Sequence, residues 1–237
     1  MTVVMRQRAP LDLRQLDDNS CLTCVTANVL YVYGVTDAPD PRWVDREVGR
    51  QPGVGAWRAE ARRFLLQQGL SLHVVRAYEP ERFLREGLDY LRRYYHQEWD
   101  FSWEEHWTPH RLEHHRRECL AERELSAFGA RMRTEHRQPT LADISGALDR
   151  DRLVWISLDN DRGEVDCHAV LVYGQRGTMF DVYSPEVSGS CLQRYRGKRL
   201  DRAWLRGEGL TVVWRSVQGP GPLGQRPARE ERGRRVL

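Results

Sequence analysis

Long hydrophobic runs are missing from this 237-residue chain. No apolar stretch approaches the roughly 18 residues that a bilayer-spanning helix needs, and the mean hydropathy is −0.68, which excludes a transmembrane helix. The first fourteen residues offer only Val3, Val4 and Met5 before Arg6 and Arg8, too little for a signal peptide, so a cytoplasmic location is expected. Excess charge is also missing from the body of the chain. The net charge is +3, and the last nineteen residues, with five Arg and two Glu, carry all of it. A nucleic-acid binder concentrates positive charge on its folded surface, so no nucleic-acid partner is expected. Five cysteines are an odd count, and cytoplasmic thiols stay reduced, which argues against a disulfide framework. A catalytic, metal-binding or buried thiol is the natural reading. There is no internal repeat.

What is present falls into three segments. Residues 11–34 begin with a polar run, Gln15, Asp17, Asp18, Asn19 and Ser20, and turn into CLTCVTANVLYVYG. Val25, Val29 and Val32 recur at helical spacing, Asn19 or Ser20 can serve as N-cap, and Gly34 is placed for a C-cap, which predicts a buried helix beginning near Cys21. A second helix is expected over 54–68 and a strand over 70–75. Residues 80–138 read as a helical insertion, with one helix opened by Pro80 and another by Thr108-Pro109 that runs to about Arg133; between them WDFSWEEHW holds three of the eight Trp and predicts a packed corner. From Thr140 the pattern changes again. Thr140 with Asp143 predicts a capping box on a short helix, and LVWISL (153–158) a buried strand. His168-Ala-Val-Leu-Val-Tyr-Gly174 and residues 178–184 predict a hairpin stopped by Pro185, and residues 210–215 a last strand. The expected domain is one α+β unit over 11–218, with 80–138 inserted and a disordered basic tail over 219–237.

Seven of the eight histidines lie between His73 and His136, and His168 stands apart at the head of an apolar strand. A cysteine at a helix N-terminus feels the helix dipole and unsatisfied amides, which favour the thiolate. Cys21 early in the chain and His168 late in it is the pattern a Cys-His acyl-transfer enzyme needs, because the two must meet in space and not in sequence. Cys21-Leu-Thr-Cys24 is also a CxxC. A zinc site would need two more ligands, and Cys167 with His168 is the one nearby pair of suitable type, yet neighbours on a strand point to opposite faces. A thioredoxin-like site would need a strand directly before the motif. Cys24 therefore reads as a core residue. His106, His110 and His114 recur every four residues, as do His115 and Cys119, but Arg111, Arg116 and Arg117 on the same helix oppose a cation, so a solvated face is expected. No metal and no cofactor is expected.

The stretch Gln15-Leu-Asp-Asp-Asn-Ser-Cys21, with the helix after it, the TLADISGALDRDRLVWISL segment and the His168-to-Gly174 strand, resembles the papain-like cysteine peptidases. It is most similar to the bacteriocin-processing (double-glycine leader) peptidases and their stand-alone relatives, over roughly 11–78 and 139–186. The resemblance implies a papain-like fold, an N-terminal helix carrying the Cys packed on an antiparallel sheet carrying the His. It also implies a cysteine peptidase activity on a peptide or protein substrate, through an acyl-enzyme. Cys21 would be the nucleophile, His168 its proton-transfer partner, and Gln15 an oxyanion-hole donor.

The chain departs from this pattern in two places. The family has Asp or Asn directly before the Pro that ends the strand after the His, where this chain has Ser184; Asp181, three residues earlier, is taken as the group that orients His168, with Ser184 or a plain dyad as alternatives. Leu22 stands where the family has Gly after the nucleophile. Two other functions use the same residues: an acyltransferase or transglutaminase-like enzyme built on the same Cys-His pair, and a catalytically inactive peptide-binding module, which the two departures favour.

Overall fold

The computed structural model describes residues 8–50, 55–95, 107–159, 167–186, 189–205 and 208–215. The basic tail, and most of the Trp-rich corner, lie outside the described residues.

The centre of the fold is α1 (Cys21–Val32), with ten of its twelve residues buried. A helix apolar on all sides belongs in a core, and α1 lies between α2 (Pro41–Glu47) and α3 (Arg58–Gln67) on one side and a sheet on the other. Gly34, at φ 64°, ends it as a left-handed C-cap, with the Val35 N–H donating to the Leu30 carbonyl at 2.9 Å. The end is pinned to the sheet: Tyr33 Oη donates to the Val213 carbonyl at 2.5 Å and accepts from the Leu153 N–H at 3.2 Å.

The sheet has seven strands among the described residues, β1 (Leu70–Arg76), β2 (Met132–His136), β3 (Leu153–Asp159), β4 (Cys167–Arg176), β5 (Met179–Tyr183), β6 (Leu192–Arg196) and β7 (Leu210–Arg215). Their order is β2-β1-β7-β3-β4-β5-β6, with only β1 and β2 parallel. The central strands are apolar on both of the faces that period-2 alternation gives them. Leu153, Trp155, Ala169, Leu171, Tyr183 and Val213 pack toward α1 and α3, while Val154, Ile156, Val170, Val172, Val182 and Val212 pack toward α7 (Leu141–Leu148) and α8 (Gly197–Ala203). Both faces are covered, and the architecture is α+β.

The expected capping box on α7 is present: the Thr140 N–H donates to Asp143 Oδ2 at 2.8 Å, and Arg137 holds the same carboxylate. These contacts, the Arg137 bond foremost, hold the Asp143 carboxyl down at about 2 against an ordinary 3.8. Its contribution to stability is thus present above about pH 4 and is lost as pH falls through about 2. Asp143→Ala is expected to cost about 1 kcal/mol at pH 7, allowing for solvent screening. Urea unfolding of the two proteins checks it: the difference should shrink toward pH 2, and a pH-independent difference would refute the assignment.

The inserted segment differs from the sequence expectation in three ways. Gly87, at φ 59°, breaks the first helix into α4 (Pro80–Glu86) and α5 (Leu88–Tyr95). The second, α6 (Pro109–Glu124), ends well before Arg133 and gives way to a 3₁₀ turn (Leu125–Arg131). The segment then closes with β2, which pairs in parallel with β1 through Leu72↔Met132 and Val74↔Thr134. The insertion is therefore not purely helical, because it completes the edge of the sheet. It carries its own small core of Tyr78, Phe83, Tyr90, Leu91 and Cys119. His115 is not on a solvated face: Tyr78 Oη lies 2.7 Å from its Nε2, and the Phe83 and Trp107 rings pack on it. Burial pushes its imidazole down to about 3, so it stays neutral.

Candidate active site

The approach to α1 is a stitched loop. Buried Asn28 accepts from the Leu11 N–H at 2.8 Å and donates to the Leu11 carbonyl at 3.0 Å, Cys24 Sγ donates to the Arg14 carbonyl at 3.4 Å, and Tyr183 Oη donates to the Leu13 carbonyl at 2.7 Å. Ser20 is the N-cap, but its hydroxyl faces back and accepts from the Leu16 and Asp17 N–H groups at 2.8 and 3.1 Å. Arg50 clamps Asp17 from outside, at 3.0 Å, and also holds Asp45 at 2.7 Å. The loop that carries Gln15 and delivers Cys21 is thus fixed on both sides. Burial pushes the Cys24 thiol up to about 12, in keeping with a thiol packed in the core.

Cys21 opens α1 and borders a cleft. Its Sγ accepts from the Ala169 N–H at 3.5 Å, so the thiol lies one residue along β4 from His168. Burial raises this thiol from its ordinary value, while the Ala169 and Leu22 amides and then Arg58 pull it down. A thiolate here needs a cationic partner.

His168 is the second residue of β4, buried and paired with Leu158 of β3, and its Nε2 lies 3.0 Å from Ser184 Oγ. The register explains why. Leu171 pairs with Tyr183, so Ser184 falls one step beyond that pair, on the same face as His168 and diagonally across from it. Ser184 Oγ in turn donates to Glu186 Oε1 at 3.1 Å, which is 3.7 Å from His168 Nε2. The Gln15 N–H donates to the Glu186 carbonyl at 3.2 Å, joining the Gln15 loop to the same segment.

The structure does not bring Asp181 to the His168 ring. Asp181 pairs with Gly174, six positions along β4 from His168 and so roughly 20 Å away at about 3.3 Å per residue. Its carboxylate holds Arg194 at 2.8 Å and Arg176 at 3.7 Å. The bulge in this pairing lies on β4, between Val172 and Gly174, and leaves the alternation of β5 unbroken, so the odd offset from Asp181 to Ser184 keeps the two side chains on opposite faces.

The cleft has a volume of about 260 Å³, with Asn19, Cys21, Trp57, Arg58, Trp155 and Ala169 on its lining. Its far wall is α6 of the insertion, through His114, His115 and Glu118. His114 meets the Trp57 ring edge-on at 4.6 Å, and Glu118 accepts from the Ala59 N–H at 2.7 Å. Sequence reasoning missed Glu186, Trp57, Arg58 and Glu118. The one available signal was an acidic residue two places after Ser184.

No known family model matches the chain, and no curated protein matches it. Among solved structures, it is similar to the peptidase domain of Streptococcus ComA, a bi-functional ABC transporter involved in a quorum sensing pathway, at 12% identity over 85% of this chain and 94% of that chain, with a TM-score of 0.44. It is also similar to a double glycine motif protease from an AMS/PCAT transporter in complex with its leader peptide, at 13% identity over 89% and 94% of the two chains and a TM-score of 0.44. A putative C39-like peptidase from Bacillus anthracis aligns over 32% of this chain and 48% of its own, at 10% identity and a TM-score of 0.27. Among the described residues no helix is long and apolar enough to cross a membrane.

Proposed function

We propose that the protein is a cysteine peptidase of papain-like design that cleaves an extended peptide bound in the cleft between α1, α3 and α6. The observation that supports this most is the meeting of Cys21, at the head of a buried helix, with the His168 segment of β4, where the Ala169 N–H reaches Sγ and the Ser184 hydroxyl lies 3.0 Å from Nε2 of the ring.

Cys21 Sγ, paired as a thiolate with the His168 imidazolium, attacks the scissile carbonyl carbon. The oxyanion is met by the Cys21 N–H at the start of α1 and by the Gln15 side-chain amide. The imidazolium gives its proton to the leaving amine, and a thioester remains on Cys21. His168 then takes a proton from water, the hydroxide attacks the thioester, and the acid product leaves with the thiol restored. Ser184 takes the place of Asp181 at the ring.

Incubation of the full chain with a peptide library rich in small residues at the cleavage point, read by mass spectrometry, tests this. Cleavage that iodoacetamide abolishes is expected. Products that carry an added amine nucleophile in place of water would make the enzyme an acyltransferase, and no turnover with any acceptor would leave a binding module.

A further inference from the structure

We propose that Glu186 is a positioning residue for His168, supplying the missing carboxylate of the site through the Ser184 hydroxyl. The proposal rests on the peptidase reading of the Cys21 and His168 pair. Three distances carry it: His168 Nε2 to Ser184 Oγ at 3.0 Å, Ser184 Oγ to Glu186 Oε1 at 3.1 Å, and Nε2 to Glu186 Oε1 at 3.7 Å. A hydroxyl has one proton to donate. With that proton on Glu186, the Oγ lone pairs face the ring, so Ser184 can only accept from Nε2–H. The relay thereby holds the ring orientation and fixes the neutral tautomer, with its proton on Nε2 and a lone pair on Nδ1. A lone serine would be a neutral dipole with a free rotor; a serine held by a carboxylate is oriented and polarised, and it passes part of the negative charge to the imidazolium.

The backbone around Glu186 is built to hold this geometry. Its N–H donates to Cys191 Sγ at 3.4 Å, its carbonyl accepts from Gln15, and the Ser184 N–H donates to the Cys191 carbonyl at 2.7 Å. A change of the Glu186 side chain leaves all three main-chain contacts in place. Among the described residues, ionisable groups on the neighbouring elements include Cys21 from α1, exposed Asp159 at the end of β3, and, on the cleft lining, Arg58 from α3 with His114, His115 and Glu118 from α6. These are common to every variant below, so a shift between variants isolates Glu186.

The test uses the pH profile of Cys21 alkylation, mapped by mass spectrometry, in wild type, Glu186→Gln, Ser184→Ala and the double variant. The basic limb reports loss of the imidazolium proton. Glu186→Gln is expected to lower that limb by roughly half a unit to one unit, as loss of a nearby, partly solvated carboxylate should. Ser184→Ala should lower it by a similar amount, and the double variant by no more than the larger single effect, because both substitutions break one relay. Ser184→Asp in the Glu186→Gln background should restore the limb by placing a carboxylate directly on the ring. An unmoved limb in Glu186→Gln, or additive shifts in the double variant, overturns the relay while the Cys-His pair stands. If wild-type Cys21 shows no His168-dependent reactivity, the peptidase reading falls, and the relay with it.

Discussion

Cys21→Ala is expected to lower peptide cleavage by about 10⁴-fold or more while leaving the fold intact, since a nucleophile that forms the covalent intermediate has no substitute in the cleft. His168→Ala should cost a comparable factor. The two losses should not multiply in the double variant, because the thiol and the imidazole act as one unit. Cys24→Ala, in contrast, removes a buried core thiol bonded to the Arg14 carbonyl and should act on stability, with turnover per folded molecule kept. Cleavage assays paired with thermal melts separate these outcomes. If Cys24→Ala abolished turnover in folded protein and Cys21→Ala did not, the assignment of the nucleophile would be wrong.

The second large effect concerns the join between the insertion and the sheet. Glu122, on α6, is 6% exposed and forms ion pairs with both Arg62 of α3, 3% exposed, and Arg76 of β1, 11% exposed. Arg62 also donates to Thr211 Oγ1 at 3.2 Å and lies over the Trp155 ring, which lines the cleft. One carboxylate thus serves two desolvated guanidinium groups. Glu122→Gln leaves both with a neutral partner, a change expected to cost about 3–5 kcal/mol. For a domain of this size that is a fall in Tm of roughly 6–20 °C. The same substitution at Glu81, whose pair with Arg123 is solvent-exposed, should leave Tm unchanged. Equal, small effects from both would show that α6 is not held by this pair. Because Glu122 lies one turn from Glu118 in the cleft wall, loosening of α6 should also raise KM.

The sequence made the main chain of the fold legible wherever apolar periodicity is strong. α1 with its Gly34 cap, the capping box at Thr140, and β1, β3, β4 and β7 all appear within a residue or two of expectation. It failed where an element is polar or short. β2 is Met-Arg-Thr-Glu-His, an edge strand with one apolar residue, and β6 is Leu-Gln-Arg-Tyr-Arg, the opposite edge; neither buries enough to leave a period-2 signal. α2 starts with Asp40-Pro41 but runs only seven residues, too few to show a stripe. The break at Gly87 needed its positive φ, which an apolar pattern does not reveal.

The site was readable to the extent that it is local. Cys21 at a helix start and His168 at a strand head follow from pattern alone, and the oxyanion role proposed for Gln15 comes from resemblance. The partner of the ring was misread because a carboxylate was expected at the ring itself. Parity along β5 already opposed Asp181, and the pleat decides the matter: Ser184 shares the face of His168, and Asp181 turns toward Arg194. The contribution of α6 to the cleft wall is tertiary, set by how the insertion packs on α3, and no residue spacing could have announced it.

The central claim is that Cys21 and His168 form a working pair. Rate-resolved alkylation of the wild type and of His168→Ala across pH, with each modified cysteine mapped by mass spectrometry, addresses it without knowledge of the substrate. Burial alone raises the Cys21 thiol, so fast reaction at low pH requires the imidazolium. The expected result is that Cys21 reacts faster than Cys24, Cys119, Cys167 and Cys191 below neutral pH and loses that advantage in His168→Ala. Equal reactivity of the five thiols, or a Cys21 rate indifferent to the loss of His168, would contradict the claim.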